Sequence, residues 1–371
     1  MDRNNQLNQL IEIGDQFSQQ GQIANIQTFG SGNINDTFLV SLQAAKPFIL
    51  QRLNTKVFRE PKLVMQNMRI YAEHVRDRLH KNPLDRQWEV PQILQTSQGL
   101  DYFQAENGEF WRSLSFIEGS QSFDKMESLE QASEVGYALG TFHHLTSDLA
   151  PMRLEDTLEG FHVTPRYLQQ YEEVLANCSS LADGKRSPEV NYCLQFVSAR
   201  QGLVNVLEDA KALGKLSLRT MHGDPKVNNI LFDKQTNLAM SVVDLDTVKS
   251  GLVHYDIGDC LRSGCNPVGE EYEDWENVRF ETELCQGVLQ GYLSMARSFL
   301  TEYDYVYIYE AIRVITFELG LRFFTDYLAG NIYFHVKYPE HNLLRSLVQF
   351  RLVESIESQE SMINKIINPL K

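Results

Sequence analysis

Between residues 22 and 53, short apolar runs alternate with turns, and this rhythm predicts strands. Ile23, Ile26 and Phe29 lead into a glycine-rich turn, Gly30-Ser31-Gly32-Asn33, and Phe38-Leu39-Val40 leads out of it. A second turn, Ala44-Ala45-Lys46-Pro47, precedes Phe48-Ile49-Leu50-Gln51-Arg52-Leu53. Apolar runs bounded by Gly and Pro turns point to hairpins. A short helix over 4–20, stopping at Gly21, precedes them. Over 61–80 the period changes. Leu63, Val64, Met68, Tyr71, Val75 and Leu79 fall at helical spacing, and Pro61 suits a first helical turn. Val90–Leu94, Tyr102-Phe103 and Phe110–Ile117 read as further strands.

Beyond Gly119 helical spacing dominates. Helices are expected over 128–145, from Thr164 to about Cys178, from Asn191 to near Gly214, and near 275–299, 303–329 and 341–367. Thr164 reads as an N-cap with Pro165 in the first turn. Residues 181–189 read as a loop. One strand pair interrupts the helices: Ile230-Leu231-Phe232 and Met240-Ser241-Val242-Val243, with a turn around Asp233–Asn237. The pattern predicts an α+β chain of two lobes. The first, 1–118, is a small, mostly antiparallel β lobe with one main helix, suited to a nucleotide. The second, 119–371, is larger and mainly helical, and carries the β-hairpin with the catalytic and acceptor-binding residues. A ligand would lie in the cleft between them.

Composition narrows the partners. The chain has 371 residues, 43% of them hydrophobic, so a sizeable core is expected. Its formal net charge of −15 disfavours nucleic acid and anionic membranes. No run approaches the ~18 apolar residues of a membrane span. The polar start, Met1-Asp2-Arg3-Asn4, does not resemble a signal peptide. Five cysteines without a CxxC pair suit reduced thiols and a cytoplasmic location.

The chemistry concentrates in His222-Gly223-Asp224-Pro225-Lys226-Val227-Asn228-Asn229 and Val242-Val243-Asp244-Leu245-Asp246. A carboxylate five residues before an amide, then a β-run ending in a second carboxylate, is a phosphoryl-transfer pattern. Asp224 is the expected base, orienting a hydroxyl and taking its proton. Lys226 would neutralise the transferring phosphoryl group. Asn229 and Asp244 offer the hard oxygens Mg²⁺ prefers, and Asp246 is a further candidate ligand. His222 and Asp256 are expected to support the loop rather than to react. The turn holding Gly30 and Gly32 lets backbone amides approach phosphate, so ATP is the expected cofactor with Mg²⁺. Asn33, Asn35 and Asp36 could instead face the acceptor. A kinase keeps a phosphate-binding Lys on the strand at 48–53; here Gln51 or Arg52 stands in its place, with Glu73 on the next helix as a possible partner. Arg322, in an apolar stretch, is either a site residue or half of an ion pair. The acidic run Glu270–Asp274 reads as a solvated loop.

These motifs resemble the aminoglycoside phosphotransferase/choline kinase superfamily, on His222-Gly223-Asp224, Asn229, Asp244 and Asp256. Within it the chain is similar to the N-acetylhexosamine 1-kinase group. Shared segments are Gly30–Thr37, Ile49–Arg52, Lys226–Asn229, Asp244–Thr247, Tyr255–Asp259, Gly320–Tyr327 and Tyr338–Asn342. The resemblance implies a protein-kinase-like bilobal fold, Mg-ATP dependence and phosphorylation of an amino sugar at its anomeric hydroxyl. It assigns Asp224 as base, Asp244 as metal ligand and Arg322 as a sugar contact. It also makes Asn33 and Asp36 candidates for the acceptor pocket. Gly223 and Asn33 depart from the group's pattern, which leaves the sugar open. The alternatives are a kinase for an aminoglycoside, a choline-like amine or a homoserine-like metabolite, or a nucleotide-binding pseudokinase.

Overall fold

The computed structural model describes residues 3–18, 21–30, 32, 34–178 and 186–370. Asn33 and residues 181–185 of the expected loop lie outside them. The chain opens with α1 (Arg3–Asp15), shorter than expected, and three antiparallel strands, β1 (Ile23–Thr28), β2 (Asp36–Leu42) and β3 (Phe48–Leu53). α2 (Pro61–Lys81) follows. Short strands β4 (Ile93–Leu94) and β5 (Phe103–Gln104) both pair with β6 (Phe110–Ser115), which lies beside β3. The sheet order is β1-β2-β3-β6-β4.

Successive strand residues face opposite sides of the sheet, and the two faces pack differently. Phe48 and Leu50 join Val40 and Trp111 in an outer cluster with Ile13 of α1 and Phe17. Leu53 and Phe110 face Val64 and Met65 of α2. Gln51 and Arg112 sit directly opposite each other in the β3–β6 register, so they share this inner face.

Residues 116–119 cross to β7 (Ser120–Gln121), which pairs with β9 (Ile230–Asp233). β9 and β10 (Ala239–Val242) form the expected hairpin. β8 (Arg219–Met221) and β11 (Lys249–Gly251) make a second pair that the sequence pattern does not predict. The helices are α3 (Leu129–Thr146), α4 (Thr164–Asn177), α5 (Pro188–Arg200), α6 (Val206–Ala212), α7 (Val253–Gly264), α8 (Thr282–Ala296), α9 (Glu302–Val306), α10 (Ile308–Leu328), α11 (His341–Ser358) and α12 (Glu360–Ile367). The helices expected over 191–214, 303–329 and 341–367 are each split in two. Thr164 is not a cap: α4 is preceded by Val163, and the Thr164 hydroxyl donates instead to Glu318 Oε2 at 2.7 Å.

One apolar core runs from Met68, Tyr71 and Val75 of α2 through α3, the hairpin, α7 and α8. α3 and α8 meet backbone to backbone. A Cβ on Gly136, Gly140 or Gly291 would collide with the carbonyl of Val288, Tyr292 or Ser133 across the interface. The β lobe is latched to the helical lobe by buried Asn67 of α2. Its amide donates to the Glu155 and Val248 carbonyls at 2.8 and 2.9 Å, and accepts from Glu155 N–H. No helix among the described residues is long and apolar enough to cross a membrane.

Candidate active site

The loop from β8 to β9 carries Asp224. Two supports hold it. The Asp256 carboxylate, buried on α7, accepts from the His222 and Gly223 N–H groups at 2.6 and 2.8 Å. It also lies 2.8 Å from Nε2 of His143 on α3, whose Nδ1 meets the Tyr292 hydroxyl. His222 Nε2 donates to the Val243 carbonyl at 2.9 Å, tying the loop to the end of β10. Burial lowers the His222 pKa, which suits a neutral ring bridging two backbone segments. Gly223 has φ +90°, and a side chain there would also press on Thr247, so this position requires glycine.

Lys226 Nζ lies 2.8 Å from Asp224 Oδ1. The Asp224 charge raises the Lys226 pKa, with help from Glu270 and Asp259, so the amine stays charged. Asn229 donates its amide N–H to the Asp224 carbonyl at 2.8 Å, which leaves its own amide oxygen available. The Val243 N–H bonds the Asn229 carbonyl, so the hairpin sets Asn229 beside Asp244. Asp244 is left-handed, φ +62°, an uncommon conformation for a non-glycine residue that turns the chain out of β10. The expected continuation of the strand to Asp246 therefore does not occur.

Enclosure by the surrounding protein raises the Asp244 carboxyl although its surface is open to solvent, the charges of Asp246 and Asp224 raise it further, and Arg112 and Lys226 offset part of this. Carboxyl groups crowded in this way favour a bound cation. The hard-oxygen pair Asn229 and Asp244 fits Mg²⁺ that also takes phosphate and water ligands. Asp246 stands differently. Its Oδ1 is ion-paired with Arg112 but makes no hydrogen bond, and its Oδ2 accepts from Asn35 at 2.6 Å, which leaves Asn229 and Asp244 as the better candidates to hold a metal.

Two other expected residues are not brought here. Arg52 shares the outer face of β3 with Leu50, near the Trp111 ring, and pairs with Asp36 and Glu109. Strand parity sends it away from Gln51, so it is corrected as a nucleotide contact, and Asp36 as an acceptor contact. Gln51 does face inward, accepting from Arg112 Nε at 2.9 Å. Glu73 pairs with Arg69 on its own helix instead of with a strand cation. Gly30 is in the glycine turn with φ +77°, and Gly32 is exposed with open space around it. Phe29, just before the turn, packs edge-on against Phe116 of the segment joining the lobes.

On the other side of Asp224, His162 links the loop to α10. Its Nε2 donates to the Gly223 carbonyl at 2.9 Å and its Nδ1 meets Glu318 Oε1 at 3.0 Å. Both partners accept, so the ring is an imidazolium. Burial alone would lower its pKa, but the Glu318 charge reverses this and leaves it raised. A raised folded-state pKa stabilises the fold below about pH 6.5, the ordinary His value, and the contribution fades as pH rises through the folded value. Relative to Glu318→Gln, the wild-type melting temperature is expected to be highest at pH 6 and to converge toward the variant by pH 9. Parallel curves in a pH series of melts would refute this.

One turn beyond Glu318 lies Arg322. Its guanidinium carbon is 4.8 Å from the Tyr167 ring centre and 5.4–6.0 Å from those of Phe161, Phe334 and Tyr333. It forms no ion pair among the described residues. The loop bearing Tyr333 and Phe334 is shaped by Asp326, which accepts from the N–H groups of residues 332, 333 and 334. The acidic run is not simply solvated: Glu270 pairs with Arg262, and Glu271 with Lys337, His341 and Arg345.

Residues 25–292 match the model of a family described as the phosphotransferase enzyme family, about three-quarters of the chain. The chain belongs to this family. Solved structures share the phosphotransferase's fold along nearly its whole length. A microcompartment-associated aminopropanol kinase is 14% identical, over 96% of this chain and 98% of its own, with a TM-score of 0.62. A choline kinase from Cryptosporidium parvum Iowa II is 16% identical, over 98% of both chains, at 0.60. An amicoumacin kinase, solved with AMP-PNP, Ca²⁺ and Ami, is 14% identical, over 97% and 94%, at 0.58. These likenesses support the antiparallel β lobe and helical lobe of a kinase-like phosphotransferase.

Proposed function

We propose that this phosphotransferase is an ATP-dependent small-molecule kinase that phosphorylates the anomeric hydroxyl of an N-acetylhexosamine. Asp224 takes the proton of the attacking hydroxyl, and Lys226 beside it meets the negative charge of the transferring group. Mg-ATP supplies the phosphoryl group and the charge neutralisation that its transfer needs, and Asn229 and Asp244 are the residues that would hold the metal. The nucleotide-bound amicoumacin kinase supports the cofactor.

The observation that carries the acceptor is Arg322. A guanidinium with no ion-pair contact among the described residues, ringed by aromatic faces on the helix that carries Glu318 and its His162 link to the Asp224 loop, opposes a cationic amine. It suits a neutral acceptor with oxygen atoms to accept hydrogen bonds and apolar ring faces to lie on aromatics. ATP consumption with Mg²⁺ is the test, run over N-acetylhexosamines, free hexoses, aminoglycosides, choline-like amines and homoserine-like metabolites. Turnover with an N-acetylhexosamine, and a raised acceptor KM with unchanged ATP KM in Arg322→Ala, is the expected result. Turnover confined to an amine would sink the acceptor assignment, and ATP binding without any turnover would favour a pseudokinase.

A further inference from the structure

We propose that Arg112 is the cation that grips the nucleotide phosphates, in place of the lysine a kinase carries on its third strand; the assignment rests on the ATP-dependent reading above. The inward positions of β3 are Ile49, Gln51 and Leu53, and none is charged. Arg52 is committed to Asp36 and Glu109 on the far face. The missing charge is found one strand over. Arg112 stands directly opposite Gln51, on the inner face, with 1% of its surface exposed.

Its guanidinium is a fork with two tines set and one open. Nε donates to Gln51 Oε1 at 2.9 Å, Nη2 pairs with Asp246, and Nη1 is buried without a partner. A fully buried guanidinium nitrogen left unmet is unusual, because buried polar groups are nearly always paired. Its charge also acts on Asp244, the carboxylate proposed to hold the metal. A nucleotide phosphate would be the anion to meet this cation, which Arg matches through its planar fork. Both anchors are themselves fixed. Gln51 donates to Thr37 Oγ1 at 2.9 Å, and Asp246 accepts from Asn35, whose Oδ1 in turn accepts the Asn54 N–H. Gln51 is thereby explained: a lysine at that position would face a like charge across the strand pair, whereas a neutral amide carbonyl can orient it.

The test is ATP affinity by titration calorimetry, with Mg²⁺ and again in excess EDTA, with adenosine as a probe lacking phosphate. Arg112→Met leaves Asp246 unpaired and could unfold the protein, so the deciding variant is the double Arg112→Met/Asp246→Asn, which removes both buried charges. We expect the double variant to melt cooperatively, to bind adenosine like wild type, and to bind ATP about 10- to 100-fold more weakly even without metal, the scale of a lost charge-assisted hydrogen bond. Arg112→Lys should recover part of the loss. Wild-type ATP affinity in the double variant would overturn the assignment alone and reduce Arg112 to a counter-ion for Asp246. A wild-type protein that binds adenosine and ATP equally, or neither, would overturn the nucleotide reading together with it.

Discussion

Asp224→Asn is expected to lower kcat by roughly 10²- to 10⁴-fold, the usual contribution of a positioned general base, with ATP affinity little changed. The substitution conserves shape. The loop should survive it, because Asp256 and His222 hold that segment through its backbone and Asn229 bonds the carbonyl of residue 224 rather than its side chain. Lys226 loses its anionic neighbour but stays beside the site of transfer. Single-turnover rates with saturating Mg-ATP would report the chemical step directly. A variant within about tenfold of wild type would remove Asp224 from the role of base.

The second large effect is expected from Asp256, which touches no reactant. Asp256→Ala leaves three buried donors facing it: the His222 N–H, the Gly223 N–H and His143 Nε2. Each stranded buried donor costs about 1–3 kcal/mol. A combined loss of about 3 kcal/mol or more is expected in urea unfolding, reduced from the simple sum because the three share one site. Molecules that remain folded should show a lower kcat with nearly unchanged KM values, since the base is displaced while the binding surfaces stand. Lost stability with full kcat per folded molecule would make Asp256 purely architectural.

Much of this arrangement was legible in the sequence, and the reasons differ by element. The hairpin over 230–242 could be read because its apolar runs and turn are local. The loop proposed to be catalytic stood out because Asp224 and Asn229 lie within one short segment. α2 was clear from its period and Pro61. The splits at Tyr307 and Gln359 were not, since neither junction has Gly or Pro; the split between α5 and α6 falls beside Gly202. β8 and β11 escaped because three-residue strands carry no period of their own.

One part of the candidate site turned on strand parity. In Ile49-Leu50-Gln51-Arg52 the two polar residues must face opposite ways, and only the packing of α1 on one face of the sheet tells which way is inward. The sequence left Gln51 and Arg52 both open; in the fold only Gln51 faces inward, and Arg52 lies with Asp36 on the other face. Arg112 was missed because its role depends on lying opposite Gln51, a pairing across sixty residues of chain. A usable signal was present: a lone cation inside the apolar strand Phe110-Trp111-Arg112-Ser113-Leu114. Asp246 looked like a metal ligand because the strand seemed to continue; the left-handed turn at Asp244 ends it.

The glycine contact between α3 and α8 has a reach beyond packing. Side chains at an interface can swing aside, but carbonyl oxygens facing Gly136, Gly140 and Gly291 cannot, so the spacing of these helices has no slack. His143 lies one turn past Gly140, and its ring partner Tyr292 supplies the very carbonyl that Gly140 abuts. The helix pair thus acts as a gauge block: it meters where His143 meets Asp256, and through Asp256 where the base stands. A single methyl group at Gly140 would be a catalytic lesion delivered from the interior of the helical lobe.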